Sequence, residues 1–127
     1  MTDNRPVVTL SEFNAFESYY RYGDRGYRVK DMIKLADREP VFELPLAAVD
    51  ISGMPWDLQN VGDFLYHVQR MNDSSLDFPV ILDNEGIIAD GWHRICKAII
   101  EGRVFVEAVR LTVMPEPIPV TDPEKRT

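Results

Sequence analysis

Pro79-Val80-Ile81-Leu82-Asp83-Asn84-Glu85-Gly86-Ile87-Ile88-Ala89-Asp90-Gly91-Trp92-His93-Arg94 decides how this chain is read. Two short aliphatic, β-branched runs, Val80-Ile81-Leu82 and Ile87-Ile88-Ala89, flank Asp83-Asn84-Glu85-Gly86, whose turn formers and final glycine suit a hairpin built on a type I turn with a bulge. The second run passes straight into a segment with Ile95, Ala98 and Ile99 at helical spacing, and Gly102 supplies the stop. A strand that turns directly into a helix leaves the first backbone N–H groups of that helix without intrahelical partners, and such groups attract anions. Asp90, Gly91, Trp92, His93 and Arg94 are therefore the candidate binding residues. Gly91 permits the sharp turn and a close ligand approach, while His93 and Arg94 can add charge-assisted donors to phosphate oxygens. The same residues also describe an ordinary capped helix with Asp90 as its N-cap, and Trp92 suits packing across the adjacent strand as well as stacking on a base. Asp83 and Glu85, in the turn, are expected to be solvated.

Working outward, residues 58–72 carry Val61, Leu65, Val68 and Met71, joined by Phe64, as one apolar stripe with polar positions opposite, which predicts an amphipathic helix. His67 lies beside that stripe and is read as structural. Residues 41–51 alternate through Phe42, Leu44 and Leu46 as a strand, with Pro45 placing it at an edge or bulge, and residues 103–113 read as a closing strand. A short helix is expected over 29–37, where Val29, Met32, Ile33 and Ala36 share a face before Pro40. Nearer the N-terminus, Thr9-Leu10-Ser11-Glu12 fits a capping box, and Leu10, Phe13, Phe16 and Tyr20 follow at helical spacing, so a helix ending near Gly23 is expected. Residues 1–39 are thus read as a helical arm packing on the core, 40–113 as the domain, and 114–127, proline-rich and charged, as an extended tail contributing little to the core.

The 127 residues, 45% hydrophobic and 28% charged, suit one folded domain. Fourteen basic against 21 acidic residues give a formal charge of −7, which disfavours direct binding to DNA because the basic residues form no run or stripe. Cys96 is the single cysteine, and His67 and His93 fall in different predicted elements without a His-Glu-x-x-His motif, so no transition-metal site is expected. No run approaches the roughly 18 apolar residues of a membrane span, and Met1-Thr2-Asp3-Asn4-Arg5-Pro6 has no signal-peptide pattern, so a cytoplasmic protein without membrane contact is expected.

Strand, then Asp90-Gly91-Trp92-His93-Arg94, then Ile95-Cys96-Lys97-Ala98, resembles the ParB-box pattern of a glycine, two variable or polar residues, an arginine, and an alanine four residues later. The order strand, helix, hairpin, helix, strand over residues 40–111 is likewise similar to the ParB/sulfiredoxin superfamily. The resemblance implies an α+β fold with a mixed sheet and flanking helices. It also implies a nucleoside triphosphate, ATP or CTP, with or without Mg²⁺, held at residues 90–94, with Asp90 a candidate to orient the metal. Trp92 stands where sulfiredoxins of the Gly-Cys-His-Arg type carry their catalytic cysteine, so sulfiredoxin activity is not expected, and Cys96 is read as a core residue. Full-length partition proteins carry a helix-turn-helix and a dimerisation region after this module, for which these 127 residues leave no room, so DNA partitioning by this chain alone is not expected. The expected function is a nucleotide-binding domain, as a phosphotransferase or hydrolase whose general base the sequence does not identify. The alternative is a non-catalytic acidic adaptor or regulator, phage- or plasmid-encoded, that meets a protein partner or a second copy. A ParB-like nuclease ranks third, because phosphate neutralisation supplies most non-specific DNA affinity and this chain is acidic.

Overall fold

Val80, Ile81 and Leu82 are all buried, as a strand covered on both faces requires. The computed structural model describes residues 4–11 and 18–119, and within them this run is strand β4 (Val80–Leu82) of a four-stranded mixed sheet. It pairs antiparallel with β5 (Ile88–Asp90) and parallel with β6 (Phe105–Arg110), and β6 pairs antiparallel with β3 (Phe42–Pro45), giving the order β3-β6-β4-β5. Alternate side chains then separate into two cores. Val80, Leu82, Val106 and Ala108 pack with Ile95 and Ala98 of α3 (Trp92–Ile100), and with Leu46 from the short 3-10 turn after β3. Ile81, Val109 and Leu111 pack with Met32 and Ala36 of α1 (Val29–Ala36) on the opposite side. Helix α2 (Val61–Asp73), capped by Asn60 accepting from the Asp63 N–H, lies outside α3. The class is α+β, as the sequence reading has it.

The central hairpin carries a register shift between Ile81 and Leu82, and its turn closes through Asp83 N–H donating to the Ile87 carbonyl at 2.8 Å. Asp83 departs from the solvated role expected of it. It is 3% exposed, and its carboxylate accepts from the backbone N–H groups of Glu85 and Ile87 at 2.9 Å and from the Tyr20 hydroxyl at 2.8 Å. Burial and this bond to Asp83 push the Tyr20 hydroxyl well above the usual tyrosine range, so it stays a donor.

Two expectations at the chain ends are corrected. The anticipated helix to Gly23 gives way over Tyr19–Tyr22 (β1), which is extended and pairs antiparallel with β2 (Arg25–Arg28) across a turn where Gly23 has φ +65°. Residues 4–11 are not helical, and positions 12–17 of the expected helix lie outside the described residues. Helical spacing loses here because tyrosine favours pleated surfaces and Tyr20 faces Tyr27 directly across the hairpin, their ring centroids 6.2 Å apart. Residues 114–119, the described part of the tail, also dock: Met114 packs against the core, and β7 (Ile118–Pro119) pairs with Arg25 and Gly26, completing a three-stranded sheet β1-β2-β7. Truncation after Val113 is therefore expected to cost about 1–3 kcal/mol and to lower the melting temperature by several degrees. An unchanged melting curve would show that β7 and Met114 contribute nothing.

Candidate functional site

Gly91 joins β5 to α3 with φ +114°, a conformation that side chains rarely adopt, and a Cβ there would lie 3.0 Å from Val80 Cγ2 and 3.2 Å from Val80 Cα. Both its backbone and its neighbour thus require glycine. Gly91 itself is the N-cap of α3, with no side chain capping the helix, so Asp90 is not the cap. As the last residue of β5, Asp90 instead accepts from Arg94 Nη2 at 2.7 Å. Arg94 Nη1 donates to the carbonyls of Phe78 and Pro79. One guanidinium therefore ties the first turn of α3 to the end of β5 and to the entry of β4, rather than standing free as the phosphate donor expected from the sequence.

His93 is likewise reassigned. It is 6% exposed, and its Nε2 lies 2.8 Å from His67 Nδ1. The rings are nearly coplanar at 10°, edge to edge, and the Trp56 indole covers both, with centroids at 4.4 Å from His67 and 4.6 Å from His93. One imidazole donates and the other accepts, which requires the accepting ring to be neutral. Burial, reinforced by Arg70, His67 and Arg94, pushes His93 down to about 3, and burial lowers His67 as well. His93 is a neutral wall of the site and not a cationic donor.

Asp90, Gly91, Trp92, His93 and Arg94 do come together, lining one cavity of about 420 Å³. Tyr19, Tyr20 and Arg21 of β1 form a second wall, and Trp56 and Arg70 a third. Trp92 combines its two readings, packing at the edge of the α3 core while lining the cavity. The residues missed in the sequence are Trp56, Arg70 and the β1 trio. Pro55-Trp56, an aromatic in an irregular stretch before α2, was the visible signal. His67 and Arg70 reach inward because α2 turns its polar side to the site, leaving Val61, Phe64 and Leu65 of the apolar stripe exposed. The cavity's charged residues are Arg21, Arg70 and Arg94 against Asp90, a balance of 3 − 1 = +2 in a chain of formal charge −7. For a protein-held Mg²⁺ the fit is poor. Asp90 is the cavity's one carboxylate and its Oδ2 is engaged by Arg94, and among the described residues no three His, Cys, Asp or Glu side chains gather to hold a metal.

Two outcomes follow from these contacts. Arg94→Ala is expected to destabilise the fold by about 1–3 kcal/mol, since it strands a half-buried carboxylate and two carbonyls, whereas Arg94→Lys recovers part of the loss; urea unfolding of the three proteins measures it. His93 makes stability fall with acid. An unfolded histidine takes its proton below about 6.5, but folded His93 only near 3, so the unfolded state binds more protons between these values. This contribution is complete above about pH 6.5 and is lost at up to about 1.4 kcal/mol per pH unit as pH falls toward 3. Unfolding free energies at successive pH values should flatten in His93→Gln; an unchanged slope would contradict the assignment.

No family model matches the chain, and no curated protein or solved structure matches it.

Proposed function

We propose that this chain is a nucleotide-binding domain of the ParB/sulfiredoxin kind, holding a phosphorylated nucleotide in the cavity over Gly91. The observation that carries the reading is the cavity's local charge of +2 within a chain of −7, set at the start of a nine-residue helix whose first N–H groups have no intrahelical acceptor. In this reading the phosphates lie between that helix start and the guanidinium groups of Arg70 and Arg21. The base lies against the aromatic walls supplied by Trp56, Trp92 and Tyr19, a surface of the type on which base stacking contributes about 1–3 kcal/mol. Arg94 acts indirectly, by fixing the helix start relative to β4 and β5. The order strand, helix, hairpin, helix, strand around a mixed sheet supports the family reading.

Binding, rather than a phosphotransferase or hydrolase reaction, is the function proposed. The cavity's one carboxylate is paired with Arg94, and one nitrogen of each imidazole, His67 Nδ1 and His93 Nε2, is bonded to the other ring. The reading is tested by calorimetry and thermal shift with ATP, CTP, GTP, UTP and ADP, each with and without Mg²⁺. At least one nucleotide should bind, and ligand at about a hundredfold over its Kd should stabilise the fold by about 2.7 kcal/mol. Arg21→Ala and Arg70→Ala should each weaken binding by about tenfold, the loss of one charge-assisted hydrogen bond, without Arg21→Ala changing the unfolding curve. No response to any nucleotide would sink the proposal and leave the acidic adaptor as the reading.

A further inference from the structure

Across the Arg94–Asp90 pair lies a second, larger hollow of about 710 Å³, which shares Arg70, Ser74, Asp90 and Arg94 with the first. Its chemistry is opposite. The apolar lining runs from buried Ala36, Ile81 and Val109 out to Ile33, Val41 and Phe78. These last three are 44%, 55% and 67% exposed, although large apolar side chains gain most when withdrawn from water. The charged lining residues are Asp37, Glu39, Asp73 and Asp90 against Arg70 and Arg94, a balance of 2 − 4 = −2. Glu39 is occupied by Thr112, and Asp90 by Arg94. Asp37 and Asp73 are exposed, and among the described residues their carboxylates make no hydrogen bond or ion pair. They stand at the C-terminal ends of α1 and α2, where the helix dipole adds further negative potential and favours a cation.

We propose that this groove docks a short segment of a partner protein that presents an apolar anchor side chain flanked by lysine or arginine. The lining takes the anchor, and the rim carboxylates of Asp37 and Asp73 take the flanking cations. Charge argues for this occupant over the others. A second copy of this chain carries −7, and a nucleic acid or an anionic membrane is also negative, so each meets the acidic rim with repulsion.

The full chain, titrated with two synthetic peptides that share one Phe-Leu anchor, one flanked by lysines and the other by glutamates, tests the proposal by calorimetry and amide chemical shifts. The lysine peptide should bind saturably, shift the amides of Ile33, Val41 and Phe78, and weaken as salt is raised. The glutamate peptide should not bind. Phe78→Ser should abolish binding, and the double variant Asp37→Asn, Asp73→Asn, altering exposed side chains only, should weaken it by about three- to tenfold with the unfolding curve unchanged. Equal affinity for both peptides, shifts mapping elsewhere, no binding of the lysine peptide at millimolar concentration, or sedimentation showing the groove filled by self-association would each overturn the inference.

Discussion

The contact of Gly91 with Val80 is the constraint on which the candidate site rests. Strand β4 is the central strand of two-sided packing, and α3 can begin at the end of β5 only if the chain turns through a positive φ directly against Val80. Any side chain at that position would press on the Val80 backbone, which the two cores hold in place. The turn thereby sets where the free N–H groups of α3 point. It also places His93 at the second helical position, against α2.

Polar ties hold the rest of the cavity to this turn. Arg94 links three separate segments through one planar group, a use for which the forked geometry of a guanidinium suits better than a lysine. Asp83 does the same at the other end of the hairpin, gathering two backbone donors and the Tyr20 hydroxyl, so that β1 is fastened beside β5 and its residues become a wall. The histidine pair under Trp56 is held neutral by burial, since a charge there would cost desolvation with arginines nearby. Satisfied polar groups of this kind fix orientation more than they add net stability.

The two hollows on either side of the Arg94–Asp90 pair carry opposite charge balances, +2 and −2. A chain-wide value of −7 conceals this division, because net charge reports the far field whereas a ligand in a hollow meets only the residues within a Debye length. The shared residues Arg70, Ser74, Asp90 and Arg94 make the wall between the hollows thin.

Local pattern in the sequence determined the α+β class, the β4–β5 hairpin, α3 and its glycine start, and the existence of α2, because each depends on near neighbours: an alternating or continuous apolar run, a turn former, a helical period. It also picked out residues 90–94, which do line one cavity. Beyond their near neighbours, what Arg94, His93 and Asp83 touch depended on atoms 15 to 63 residues away, and spacing along the chain carries no trace of such partners. The same limit explains the N-terminal segment, where an apparent helical period yielded to a hairpin whose third strand arrives from residues 118–119. It explains α2 too: the amphipathic pattern predicted a helix, but the direction of its polar face was decided by the bond between His67 and His93 and the indole laid over both. Tertiary structure settled these points because a side chain's role follows from the surface it is packed against, and that surface is assembled only when distant segments meet.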